Sequence, residues 1–254
     1  TLSSSSAASD VYKRQGLAYA GESPESIKTN IDTYFAPLLV GQPAGNINAA
    51  MLRIDRSVRA NTFARSAVET ALLDAQGKRL GLPVAELLGG RVRDGLEVAW
   101  TLASGDTGKD IDEAERMLNL RRHRIFKLKI GSRDAALDIA HVAAIKRALG
   151  DRASVRVDVN QAWSEAVAIR ACQALGDAGV DLIEQPIPRQ DVQAQARVSA
   201  RSPTPIMADE AIESVEDSFN LARGGAAPVF ALKIAKNGGP VSYTHLTLPT
   251  KRIV

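Results

Sequence analysis

The chain has 254 residues, 45% of them hydrophobic but only 4% aromatic, so it can bury one large core or two modest ones, built from Ala, Leu, Ile and Val. Its net charge of +3 lies in its ends: residues 1–15 carry +1 and residues 241–254 carry +2, leaving residues 16–240 neutral, which excludes the basic face a nucleic-acid binder needs. One cysteine, Cys172, excludes an intrachain disulfide and points to a reducing cytoplasm, and no apolar run is long enough for a transmembrane helix.

Thr1–Gln15 is rich in Ser and Ala, shows no apolar period and lacks the apolar core of a signal peptide. It is expected to be a non-native or disordered tail. From Gly16 to about Arg91 helices are predicted. Ser23-Pro24 opens the first, with Ile27, Ile31, Tyr34 and Phe35 on one face. A second covers Asn48–Arg59. Asn61 is the expected N-cap of a third, which runs through Val68, Ala71, Leu72 and Ala75 to Lys78 and stops at Gly81-Leu82-Pro83. Val84–Leu88 makes one short turn.

From Val92 strands and helices alternate. Strands are predicted at Val98–Leu102, Ile125–Ile130, Val155–Val159, Leu182–Ile183, Ile206–Ala208 and Val229–Ile234. Helices are predicted between them at Asp110–Leu120, Ala135–Leu149, Glu165–Ala178, Val192–Ala200 and Val215–Arg223. Repeated βα alternation argues an α/β fold with a parallel sheet. A closed barrel needs two strands beyond these, so the expectation is an incomplete (β/α) barrel of about six strands, truncated on its C-terminal side. An open doubly wound sheet is the alternative, although the Gly-rich phosphate turn such sheets often carry is missing. Val241–Val254 departs from the pattern after Gly238-Gly239-Pro240 and is expected to be a second non-native or disordered tail.

The charged residues fall in register with the strands. Lys127 and Lys129 lie inside the second strand, Asp158 ends the third, Glu184 the fourth, Asp209 the fifth and Lys233 the sixth. From Lys129 onward the intervals are 29, 26, 25 and 24 residues, each about one βα unit. In a βα barrel those carboxyl ends meet at one mouth, where such folds place their chemistry. Carboxylates brought together repel by roughly 4 kcal/mol per pair at 4 Å and an effective dielectric constant of about 20. A hard divalent cation such as magnesium or manganese removes that repulsion. Lys127 and Lys129 share a strand face through their period-2 spacing, and neighbouring cations are expected to lower a lysine pKa toward that of a base near neutral pH.

Lys127-Leu-Lys129, Asp158-Val-Asn160, Glu184-Gln-Pro186, Asp209-Glu210 and Lys233 together resemble the muconate-lactonizing subgroup of the enolase superfamily. The resemblance covers residues 16–240 and extends to Ala99–Thr107, Arg121–Phe126 and Ala231–Gly239. It implies that residues 16–91 are the helical remainder of an N-terminal α+β capping domain and that 92–240 are the partial enolase-type barrel. Asp158, Glu184 and Asp209 would bind the metal, manganese in this family with magnesium as the other choice. Lys129 would be the acid/base, Lys127 would tune it, and Lys233 would face it from the opposite side of the substrate. Asn160 and Glu210 would support the metal.

The implied reaction interconverts cis,cis-muconate, a small dicarboxylate, and muconolactone through an enolate-like intermediate, with no nucleic-acid or membrane partner. The full-length parent is expected to be a homo-oligomer. The family's last two strands, with a further acidic residue assigned as proton donor, are expected beyond Pro240, so no residue here takes that role. Chloromuconate cycloisomerisation, dipeptide epimerisation and o-succinylbenzoate synthesis share the same metal and lysine parts and stay open, as does an inactive fragment.

Other residues have plainer expectations. Cys172 reads as a small buried helix residue, Trp163 as packing rather than site, and His123 and His141 as surface residues without ligand spacing. Arg121-Arg122-His123-Arg124 reads as a solvated helix end. Gly131 and Gly238-Gly239 read as turn formers.

Overall fold

The computed structural model describes residues 21–247, which divide into two compact units, one running to Asp94 and resuming at Leu232, the other spanning Gly95–Ala231. The tail expected at Thr1–Gln15 lies outside the described residues, as does the end of the C-terminal one.

The first unit is helical. It contains α1 (Pro24–Thr29), a π-helical turn (Asn30–Phe35), α2 (Ala36–Leu39), α3 (Ile47–Ser57), α4 (Thr62–Leu80) and α5 (Val84–Leu87). Ser23 and Ser26 form a reciprocal capping box at the start of α1. Phe35, Met51, Ile54 and Ala64 are the buried centre, with Ile27, Ile31, Val68 and Leu72 packed on it. Asn61 does not cap α4. It sits in a left-handed conformation without a side-chain cap bond, its amide oxygen accepting from Asn30 Nδ2 at 2.9 Å. The Glu22 carboxylate takes the cap instead, accepting from the Phe63 and Ala64 N–H groups at 3.0 and 3.3 Å.

A helix over Pro240–Thr247 closes this unit. Its Val241 N–H donates to Glu69 Oε2 at 3.1 Å, and Arg65 Nη1 donates to Ser242 Oγ at 2.9 Å. Gly239 makes the approach to α4 feasible: its φ is 129°, and a Cβ there would lie 2.0 Å from Glu69 Oε2.

The second unit is one six-stranded parallel sheet in the order β1-β2-β3-β4-β5-β6. It contains β1 (Trp100–Leu102), α6 (Thr107–Asn119), β2 (Ile125–Lys129), α7 (Ala135–Leu149), β3 (Ser154–Asp158), α8 (Glu165–Asp177), β4 (Leu182–Glu184), α9 (Val192–Arg201), β5 (Ile206–Ala208), α10 (Val215–Arg223) and β6 (Val229–Phe230). Strand order follows chain order without the reversal of a doubly wound sheet, which rules out that alternative. Each helix starts at a short polar N-cap: Asp106, Asp134, Ser164, Asp191 and Ser214 all accept from a backbone N–H of the first turn.

The helix-facing side chains Phe126, Leu128, Val155, Val157, Ile183 and Ile206 form the core with Val142, Ile145, Leu149, Cys172 and Leu175. Each large aliphatic or aromatic side chain buried there contributes about 1.5–3 kcal/mol. Cys172 and Trp163 are buried in this core, as expected, and burial pushes the Cys172 thiol up to about 12 despite a hydrogen bond with Ser202. β6 is shorter than predicted. Pairing stops at Ala208↔Phe230 because β5 itself ends there, so the apolar run to Ile234 has no ladder to extend on that side. His141 is buried, not at the surface. It lies three residues after Asp138 and four before Ile145, on the buried stripe of α7, between Thr107 Oγ1 at 2.7 Å and Asp110 Oδ2 at 3.3 Å. No helix among the described residues is long and apolar enough to cross a membrane.

Candidate active site

The strand register builds the site. Lys129 pairs with Asp158 and Asp158 with Glu184, so these residues lie level across β2, β3 and β4. Met207 is next in the row, level with Glu184, and Asp209 lies two residues beyond it. Phe126 and Leu128 bury the other face of β2, which puts Lys127 and Lys129 together on the face that carries Asp158.

Lys127 Nζ donates to Asp158 Oδ2 at 3.0 Å and to Glu184 Oε2 at 2.8 Å. Lys129 Nζ donates to the same Asp158 oxygen at 2.6 Å and to Asn160 Oδ1 at 2.8 Å. Asp158, Glu184, Asp209 and Glu210 are all buried. Asn160 Nδ2 donates to Glu210 Oε1 at 3.0 Å, whereas Glu210 Oε2 is buried with no hydrogen-bond partner.

Burial and the Asp158 charge push the Glu184 carboxyl up to about 7, against the pull of Lys127, and Asp209 adds to the rise. Burial pulls Lys127 down, but the charges of Asp158 and Glu184 outweigh it and hold its ammonium above the usual lysine range.

The loops that carry these side chains are stitched together. Val159, Gln161 and Trp163 donate their backbone N–H groups to the carbonyls of Glu184, Gln185 and Pro186 at 3.1, 2.8 and 3.0 Å. Asn160, Gln161 and Gln185 have φ values of 47°, 68° and 35°, a concentration of disfavoured backbone of the kind found at functional sites. Sequence reasoning gave Gln161 and Gln185 no role, and Gln185 precedes a proline, where extended backbone is the local preference.

Asp138 was also missed. Its Oδ2 accepts from the Gly131 N–H at 2.7 Å and its Oδ1 pairs with Arg133 at 2.9 Å, holding the turn two residues after Lys129. The polar inward position on α7 was the signal for it. Lys233 lies after β6, in the segment counted with the first unit, where its carbonyl accepts from Asn237 Nδ2 at 2.8 Å.

The residues fit a divalent cation in donor chemistry: the buried carboxylates of Asp158, Glu184 and Asp209 supply hard oxygens. They are not drawn into a finished cage. Among the described residues no three His, Cys, Asp or Glu side chains converge on one ion position. Ammonium groups hold Asp158 Oδ2 and Glu184 Oε2, and a cation would have to take those oxygens from Lys127 or use the remaining ones.

A parallel βα sheet with its buried charges gathered at the carboxyl ends of the strands is the arrangement of a βα-barrel enzyme. The family described as enolase C-terminal domain-like matches residues 109–245, and the mandelate racemase / muconate lactonizing enzyme N-terminal domain matches residues 14–89. The chain belongs to the mandelate racemase / muconate lactonizing enzyme family of the enolase superfamily.

Muconate cycloisomerase 1 of Pseudomonas putida is 71% identical over 225 residues, covering 89% of this chain and 60% of that protein. The crystal structure of muconate lactonizing enzyme from Pseudomonas fluorescens complexed with muconolactone superposes with a TM-score of 0.89 at 71% identity, covering 91% of this chain and 62% of the other. Chloromuconate cycloisomerase of Pseudomonas sp. strain P51 is 46% identical, covering 88% of this chain and 60% of that protein. The chain thus spans about three fifths of the length of these relatives. Enzymes of this superfamily use divalent metal ions.

Proposed function

We propose that the chain carries the metal-binding and lysine part of a muconate cycloisomerase, interconverting cis,cis-muconate and muconolactone in aromatic-compound degradation. The observation that carries this reading is the row Lys129, Asp158 and Glu184 across three paired strands. The 71% identity to a muconate cycloisomerase, against 46% to a chloromuconate enzyme, supports muconate as the substrate.

Asp158, Glu184 and Asp209 would hold the cation, manganese by preference. When bound, it would supply Lewis-acid stabilisation of the negative charge that builds on a substrate carboxylate. The rest falls to side chains. One carboxylate of muconate adds across a double bond and closes the lactone ring, and the electron pair of that bond passes toward the other carboxylate. Lys129 delivers a proton to the carbon next to that carboxylate, and in reverse removes it. Its 2.6 Å contact with Asp158 and 2.8 Å contact with Asn160 aim the ammonium. Lys127 adds fixed positive charge beside the developing negative charge. Lys233 is proposed as a third catalytic lysine on the family pattern alone. A reducing cytoplasm suits the lone buried Cys172, and the full-length parent is proposed to be a homo-oligomer.

A second reading, a chain that binds the metal without turnover, draws on the share of its relatives that it spans. One experiment separates the two. The chain is mixed with Mn2+ and cis,cis-muconate, and loss of the muconate ultraviolet absorbance is followed. Loss that depends on both Mn2+ and Lys129 is the expected result. Mn2+ binding without loss would favour the second reading. Turnover of a dipeptide in place of muconate would sink the substrate assignment.

A further inference from the structure

At the end of β4 the chain adopts a conformation its sequence does not favour. Gln185 precedes Pro186, yet it takes a φ of 35°, in the left-handed region that disfavours side chains with a Cβ. Such a residue persists only where its surroundings over-determine it, and here they do. Gln185 is fully buried. Its backbone N–H donates to Met207 O at 2.8 Å and its carbonyl accepts from Gln161 N at 2.8 Å. Its side-chain Nε2 donates to Ile187 O at 3.0 Å and to Gln195 Oε1 at 2.9 Å. Its Oε1 accepts from both Asp209 N and Ala211 N, at 3.0 and 3.1 Å.

The last two bonds fall beyond the paired residues of β4 and β5. The β4–β5 register ends at Glu184↔Met207, and the Gln185 N–H bond to Met207 O follows directly after it, two residues short of Asp209. The Gln185 carboxamide continues the ladder as a side chain. Ile187 and Gln195 take its donors, which leaves the amide oxygen turned toward β5.

We infer that Gln185 is a positioning residue whose carboxamide clamps the Asp209 backbone to the end of β4 and so sets the spacing of Glu184 and Asp209. The inference rests on the reading of Asp158, Glu184 and Asp209 as the metal site. Only a carboxamide of this length meets the requirement. Met keeps the volume but takes the acceptor from the buried Asp209 N–H and the half-buried Ala211 N–H. Asn keeps the groups on a shorter stem.

The test measures Mn2+ affinity on the intact chain, from the electron paramagnetic resonance signal of free Mn2+, with circular dichroism and thermal unfolding alongside. The variants are Gln185→Met, Gln195→Ala and Thr204→Val. Thr204 Oγ1 donates to Val180 O at 3.1 Å, at the opposite end of the β4–β5 pair, so its loss weakens the fold without touching the site. Gln185→Met is expected to weaken Mn2+ binding by about 10–100-fold, the usual effect of removing a group that orients a metal ligand. Gln195→Ala, which frees the amide to turn and leaves a small cavity at a buried position, is expected to weaken it by roughly a few-fold, and Thr204→Val by less than about two-fold. If Gln185→Met does not fold, Gln195→Ala and Gln185→Asn decide.

Folded variants that bind Mn2+ as tightly as the unaltered chain would overturn the inference alone. An unaltered chain that binds no Mn2+ would overturn the metal-site reading and the inference with it.

Discussion

The two ends of the six-stranded sheet handle charge in opposite ways. At the carboxyl ends Asp158 and Glu184 are 1% and 3% exposed; both pair with Lys127, and Asp158 pairs with Lys129 as well. At the amino ends Arg124 pairs with Glu97 and Arg152 with Glu115, and these arginines are 70% and 55% exposed. Water screens the second set, so each pair adds little and neither depends on the other. The carboxylates of the first set are shielded from water, so their charges act strongly on the lysines that reach them, and removing one partner leaves a charge uncompensated. The same strands therefore carry an ordinary surface at one end and a loaded, tightly fixed cluster at the other.

The comparison breaks most visibly at Asp158. Asp158→Asn removes the negative charge that both lysines meet and weakens a proposed metal ligand at once. Mn2+ titration is expected to show a loss of affinity of at least about 100-fold. Chemical denaturation is expected to show a stability loss of about 1–3 kcal/mol, below the range for a fully buried pair because the lysines are partly exposed. Near-normal Mn2+ binding by this variant would remove Asp158 from the metal site. Gly131→Ala follows. Gly131 has a φ of 99°, and a Cβ there would lie 2.7 Å from Ala162 Cβ and 2.8 Å from Val159 O. Backbone strain and overpacking together are expected to cost about 2–4 kcal/mol, read as a lowered denaturation midpoint. An unchanged midpoint would show that the turn after Lys129 can shift freely.

How much of this was legible in the sequence differs between the same two ends. The helices and strands of the second unit follow from apolar period and polar N-caps, and α7 and α10 match the expected bounds, because local chemistry alone starts and stops them. The row of Lys129, Asp158 and Glu184 was legible because one charge per βα unit is a sequence-level regularity. What escaped was decided by tertiary contact. Gln185 adopts left-handed backbone before a proline because groups from β5 and α9 hold it there. Glu22 caps α4 through Phe63, 41 residues away, in place of the adjacent Asn61. β6 stops early because its neighbour does. No local window contains those partners.

Lys127→Met sharpens the comparison from within the cluster. Lys127 occupies oxygens of both Asp158 and Glu184, and a cation must compete with it. Removing the ammonium is expected to tighten Mn2+ binding by about 10-fold, the scale of one charged hydrogen bond no longer broken on binding, while muconate turnover falls. A weaker Mn2+ affinity would mean that Lys127 holds the carboxylates in a metal-ready geometry, and that competition is the lesser effect.

The smallest expected effect belongs to the solvated end. The hydrogen bond from Arg152, which outweighs the slight burial cost, holds the Glu115 carboxyl below its usual range. A lowered carboxylate pKa in the folded state means that the unfolded chain binds the proton more readily. The contribution of the pair is therefore full above the ordinary carboxylate value and is lost as pH falls through the lowered one. In Glu115→Gln the denaturation midpoint at neutral pH is expected to drop only slightly, by less in high salt, where exposed charges are screened. Below the carboxylate range variant and parent are expected to coincide, and Mn2+ affinity is expected to be the same in both. A large, salt-insensitive loss would show that this end of the sheet depends on its ion pairs as closely as the carboxyl end does, and the contrast between the two would fail.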